Sequence, residues 1–121
     1  MSWQFHSGTP VFLQIADHLR GDILTGAFPP GEPFPTVRQL AFEASVNPNT
    51  MQKALILLEE EGLLVTHGTV GRTVTQDQET LDRARDTRQQ AFVRQVLSQA
   101  KTLGLSGEVL SKLIAESEAE I

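Results

Sequence analysis

Cysteine is absent from the 121 residues. That excludes disulfides, zinc ribbons and thiol nucleophiles together, and it suits a reducing compartment. Long apolar runs are missing too, and nothing approaches the roughly 18 consecutive apolar residues of a membrane-crossing helix. The opening MSWQFHSGTP lacks the basic-then-apolar order of a secretory signal. A soluble, cytoplasmic protein is expected. Positive charge is scarce, with 10 Lys and Arg against 15 Asp and Glu and a net charge of -5. Residues 1–76 hold four cations (Arg20, Arg38, Lys53, Arg72) against seven acids. A nucleic-acid binder usually carries a basic excess, so this balance counts against DNA and must be offset by arrangement. The three histidines, His6, His18 and His67, fall in no metal-ligand spacing, and no Ser/His/Asp set or phosphate loop is readable. No metal, cofactor or catalysis is expected.

What is present is strong helical patterning. Apolar content of 40% supports one small packed domain with an appendage, and not two full cores. Thr9-Pro10 reads as an N-cap followed by proline at the first helical position. Val11, Ile15, Leu19 and Ile23, with Phe12 and Leu24 beside them, form one stripe that closes at Gly26. The proline-rich AFPPGEPFP predicts an extended loop with a short strand near Phe34. Thr36 caps a second, short helix with Val37, Leu40, Ala41 and Ala44 on one face. After a tight turn at Ser45-Val46, Asn47-Pro48 starts a third helix that stops at Gly62. Leu63 and Val65, then Val70 and Val74, bracket a turn from Gly68 to Gly71 and predict a β-hairpin. Helix, helix, turn, helix, hairpin is the order of a winged helix-turn-helix, here assigned to residues 1–76.

Residues 77–121 form a separate tail. DQETLDRARDTRQQ is polar all round and reads as a solvated helix. Phe92, Val93, Val96, Leu97, Ala100 and Leu103 then restore an apolar stripe, Gly104 breaks it, and Ser106 caps a second helix striped by Val109, Leu110, Leu113 and Ile114. Two short amphipathic helices cannot bury both stripes alone. They need the winged domain or a second copy of themselves, and Phe92, Val96, Leu103, Leu110 and Leu113 are expected at a homodimer seam. The fold class is mostly α with a small β-hairpin, ending in a two-helix dimerisation tail.

The third helix carries the functional signal. Met51, Ala54, Leu55 and Leu58 fall on one side, while Asn49, Gln52 and Lys53 point the other way. Asn and Gln pair bidentately with adenine, and Lys reaches guanine or phosphate. Glu60 shares the azimuth of Asn49 but sits roughly 16 Å further along the axis, outside a groove entered by the N-terminal turns. Asn47 and Thr50 flank the same end. Ile56 also points outward, without an assigned role. Arg38, near the start of the second helix beside Thr36, can meet a phosphate together with the helix N-terminus. In the hairpin, His67, Gly68, Thr69 and Arg72 can approach the backbone or minor groove. The competing reading is an ordinary solvated face on a winged helix that contacts another protein. Such a face would carry apolar anchors where Asn49, Gln52 and Lys53 stand.

Residues 10–74 resemble the N-terminal domain of GntR-family transcriptional regulators. The resemblance is carried by Pro10 with Gln14-Ile15, Ile23 with Gly26, Pro30-Gly31, FPTVRQLA, NPNT, Ala54, Leu58 and Glu61-Gly62. The NPNT turn and short tail look like the YtrA-type subfamily. The resemblance implies a dimeric, repressor-like regulator of double-stranded DNA, with Arg38, Asn49, Thr50 and the wing at the duplex. Here threonine replaces the usual serine at Thr36, the recognition turn is mostly amide, and Thr73-Val74 lacks the family's aromatic. The tail is too small to enclose a sizeable ligand within one subunit, so any small-molecule effector is expected between the tail and the winged domain or at the dimer seam.

Overall fold

A computed structural model describes residues 3–120. The chain divides into two compact units, one running up to Arg83 and the other from Ala84. The first begins with α1 (Val11–Leu24), whose Ile15, Ala16, Leu19 and Ile23 are buried. Its start corrects the sequence reading. Pro10 occupies the N-cap itself, at φ -54° and ψ 139°, and no side chain caps the helix. Gln14 does the tying instead: its amide donates to the carbonyls of His6 (2.9 Å) and Thr9 (2.8 Å), and its oxygen accepts from the His6 N–H (3.1 Å). Trp3 lies on His18, with ring centroids 4.5 Å apart.

α2 (Val37–Ala44) opens with a complete capping box. Gln39 N–H donates to Thr36 Oγ1 (3.1 Å) and Thr36 N–H to Gln39 Oε1 (2.9 Å). It ends at Ser45, in the left-handed region at φ 55°, which turns the chain sharply into α3 (Pro48–Glu60). Asn47 Oδ1 accepts the Asn49 N–H at 2.7 Å, and Pro48 fills the first helical position. Met51, Ala54, Leu55 and Leu58 are all fully buried, as their spacing requires.

Gly62, at φ +80°, releases the chain into β1 (Leu64–Thr66), which pairs antiparallel with β2 (Arg72–Val74) in the register Leu64↔Val74. Leu63, Leu64 and Val74 point into the core, whereas Val65 is exposed and Val70 lies in the turn itself, 87% exposed. The proline-rich loop lies along the free edge of β2. Gly31 N–H donates to the Val74 carbonyl and Phe34 N–H to the Arg72 carbonyl, both at 2.8 Å. The strand expected near Phe34 is thus a single bridge, Pro33↔Thr73, because Pro33 and Pro35 leave too few N–H donors for a ladder.

α4 (Gln78–Thr102) is one continuous helix. Its first turns are not wholly solvated, as the sequence suggested, for Leu81 is fully buried. A single leucine among charges makes no periodic stripe, yet it fills a core position. Beyond Ala84, the rest of α4 and α5 (Gly107–Ala119) form the second unit. Ser106 caps α5 by accepting the Val109 N–H at 3.2 Å. The two helices leave an apolar cleft of about 270 Å³ lined by Phe92, Val96, Leu97, Leu110 and Ile114. Phe92 (65%) and Leu103 (77%) stay largely exposed, as does Leu113 in part.

Candidate nucleic-acid interface

α1 and α3 pack side by side and advance in the same sense. Lys53 Nζ stands 5.8 Å from the centre of the Phe12 ring, and eight residues further along each helix Arg20 meets Glu61. The Arg20–Glu61 contact is bidentate, Nε to Oε1 at 2.7 Å and Nη2 to Oε2 at 2.6 Å. Its hydrogen bonds and charge raise the Arg20 pKa above its ordinary value against the opposing effect of burial. Glu61, at the acidic end of α3, is thus engaged in structure, while Glu60 stays exposed to solvent. Glu59 is committed as well, accepting from Arg72 Nε at 2.5 Å and from the Thr66 hydroxyl at 2.7 Å.

This sorts the four cations of residues 3–76. Arg20 and Arg72 are held by carboxylates. Arg38 and Lys53 are exposed and form no ion pair among the described residues. Arg38 belongs to the first turn of α2, where the free N–H groups add positive potential, and Lys53 to the second turn of α3. Asn49 is exposed beside Lys53, and Gln52 is half-exposed. Arg38 and Lys53 are therefore the cations of residues 3–76 that carboxylates leave uncompensated.

At the hairpin tip, His67 N–H donates to the Gly71 carbonyl (2.8 Å) and Val70 N–H to the His67 carbonyl (3.0 Å). Gly68 at φ +56° and Gly71 at φ +108° supply the left-handed steps this loop needs. Gly68 and Thr69 are exposed, so they can reach a partner. The His67 ring is turned back on Thr73 Oγ1 at 2.7 Å, and the Arg72 side chain is largely occupied by Glu59. Both residues shape the wing. The Thr36 hydroxyl, accepting from Gln39, keeps its own hydrogen to donate elsewhere.

Residues 12–74 match the family described as bacterial regulatory proteins, gntR family. The chain belongs to the GntR family. It is 32% identical over 108 residues to the HTH-type transcriptional regulator YhcF of Bacillus subtilis, covering 89% of each chain. It is also 32% identical over 116 residues to the HTH-type transcriptional repressor YtrA of the same organism, covering 95% of this chain and 89% of that one. Among solved structures, a GntR family transcriptional regulator from Listeria monocytogenes superposes with a TM-score of 0.82 at 28% identity, covering 95% of this chain and 98% of that one. The GntR chain described here is accordingly a winged-helix, DNA-binding transcription regulator and not an enzyme. The stretch carrying the sequence resemblance, residues 10–74, and the matched stretch, 12–74, nearly coincide.

Sequence reasoning overlooked several residues of this GntR site. Gln39 could have been read from Thr36-x-x-Gln39, a capping-box signature. The partners of Glu59, Glu61 and Phe12 gave no local signal, because each is met only after the helices and hairpin pack. No helix among the described residues is long and apolar enough to cross a membrane.

Proposed function

We propose that this regulator binds a pseudo-palindromic operator as a homodimer, working in the cytoplasm, and represses transcription from it. The first two turns of α3 enter the major groove with Asn49, Gln52 and Lys53 toward base edges, while Asn47 and Thr50 lie at the entry. Thr36 and Arg38 hold phosphate, and the tip at Gly68 and Thr69 follows the backbone or the minor groove. Tails pair through Phe92, Val96, Leu103, Leu110 and Leu113, so half-sites lie about one helical turn, or a multiple of it, apart. One observation carries the reading: the two cations without carboxylate partners, Arg38 and Lys53, stand in the first two turns of α2 and α3, the latter with Asn49, while the acids of α3 are gathered at its far end. Repression is favoured by likeness to YtrA, which is described as a repressor. An effector in the tail would act by altering the separation of the two recognition helices.

Selection of bound duplexes from a random pool tests this reading. The expected result is a two-fold symmetric motif that weakens or relaxes with Asn49→Ala/Lys53→Ala. No enrichment by a folded dimer would favour a winged helix that docks on protein.

A further inference from the structure

We infer that Ile56 reads the operator directly, packing its side chain against the C5 methyl group of a thymine in the major groove. This rests on α3 being the recognition helix. Ile56 is 42% exposed, although the buried face of α3 is already complete with Met51, Ala54, Leu55 and Leu58. A β-branched aliphatic offers α3 no gain in helix propensity, so neither core packing nor local structure accounts for it.

Its position does. At 100° per residue, Gln52, Lys53 and Ile56 all fall within about 60° of Asn49 on the helix circumference. Asn49, Gln52, Lys53 and Ile56 thus occupy positions i, i+3, i+4 and i+7 of one face, the spacing with which the homeodomain recognition helix meets bases. Ile56 lies about 10 Å along the axis from Asn49, short of Glu60 and comparable with a major groove about 12 Å wide. An aliphatic side chain there can make no hydrogen bond. The one apolar group on the groove edge of a base pair is the thymine methyl. Set over cytosine, the same side chain would cover an amino group and leave it without a partner.

The test uses the full-length protein and the operator obtained by selection. Each thymine of a half-site is replaced in turn by deoxyuridine, which removes only the C5 methyl. One replacement is expected to weaken wild-type binding about fourfold, the worth of one buried methyl group. Ile56→Ala should bind the thymine duplex at that weaker level and ignore the same replacement, while Ile56→Val keeps most of the discrimination. As Ile56 lies outside the core, both variants should melt close to wild type. Full thymine–uracil discrimination retained by Ile56→Ala, or none in the wild type, overturns the inference while leaving the operator reading intact. Failure of the wild type to select any duplex overturns both.

Discussion

Glu59 of α3 holds Arg72 of β2 and, through the Thr66 hydroxyl, β1 as well. One carboxylate therefore ties both strands of the wing to the recognition helix. Burial alone would raise the Glu59 pKa, but the hydrogen bonds from Thr66 and Arg72 and the arginine charge outweigh it, leaving the value lowered. A group whose folded pKa is lowered stabilises fully above its unfolded pKa and loses that contribution as pH falls through the folded one. Protection factors of the hairpin amides, corrected for the intrinsic pH dependence of exchange, should therefore be steady from neutral pH to about 5 and fall below about 4. Glu59→Gln should cost about 1 kcal/mol at neutral pH and flatten that acid loss. An unchanged acid profile in the variant would rule out the tether.

Arg38 and Arg72 should behave differently at DNA. A phosphate contact adds about one released counterion to the salt dependence of binding. Arg38→Ala is expected to reduce the slope of log K against log salt by about one per protomer. Arg72→Ala should weaken binding with a nearly unchanged slope, because its charge already answers Glu59. Titrations at four salt concentrations separate the two, and equal slopes for both variants would contradict the assignment.

Leu81 should anchor the start of α4 in the core of the first unit. Leu81→Ala is expected to destabilise by about 2–4 kcal/mol, as for other fully buried leucines, and denaturant unfolding measures it. A chain ending after Gln76 should lose comparable stability, and one retaining the wild-type midpoint would show that the anchor is dispensable.

The tail carries the assembly prediction. Leu110→Asp places a charge in the apolar cleft between α4 and α5 and is expected to give monomers in sedimentation at micromolar concentration, with the first unit still folded. A dimer that survives the substitution assigns the seam elsewhere.

Ser45 is the one non-glycine at positive φ among the described residues. A left-handed residue with a Cβ costs roughly 1–2 kcal/mol, offset in part by the entropy glycine loses on folding. Ser45→Gly should therefore gain about 0.5–1 kcal/mol by thermal melting.

Periodic elements were legible in the sequence and long-range partnerships were not. The stripe Ile15–Leu19–Ile23, the Asn47-Pro48 start and the opposed faces of α3 follow from helical geometry, and all stand in the structure. Thr9 misled because a threonine before a proline satisfies the cap pattern whether or not its hydroxyl is used, while Gln14, five residues on, ties the preceding segment down through the Thr9 carbonyl. Leu81 was hidden by its solitude. Arg72 looked available because its partner, thirteen residues upstream, is reached only once the hairpin takes the register Leu64↔Val74. Of the candidate site, sequence marked which side chains face outward, but not which charges were already answered.

The neutralised arginines also bear on how such a protein searches a chromosome. Attraction to arbitrary DNA grows with the number of unpaired cations, since it is almost wholly a matter of phosphate neutralisation. By answering Arg20 and Arg72 internally, the chain weakens its hold on the roughly 10⁶–10⁹ competing sites of a genome. What remains depends more on base edges than on phosphate. Fewer molecules are then stranded far from the operator, and a small pool of regulator can keep its target occupied.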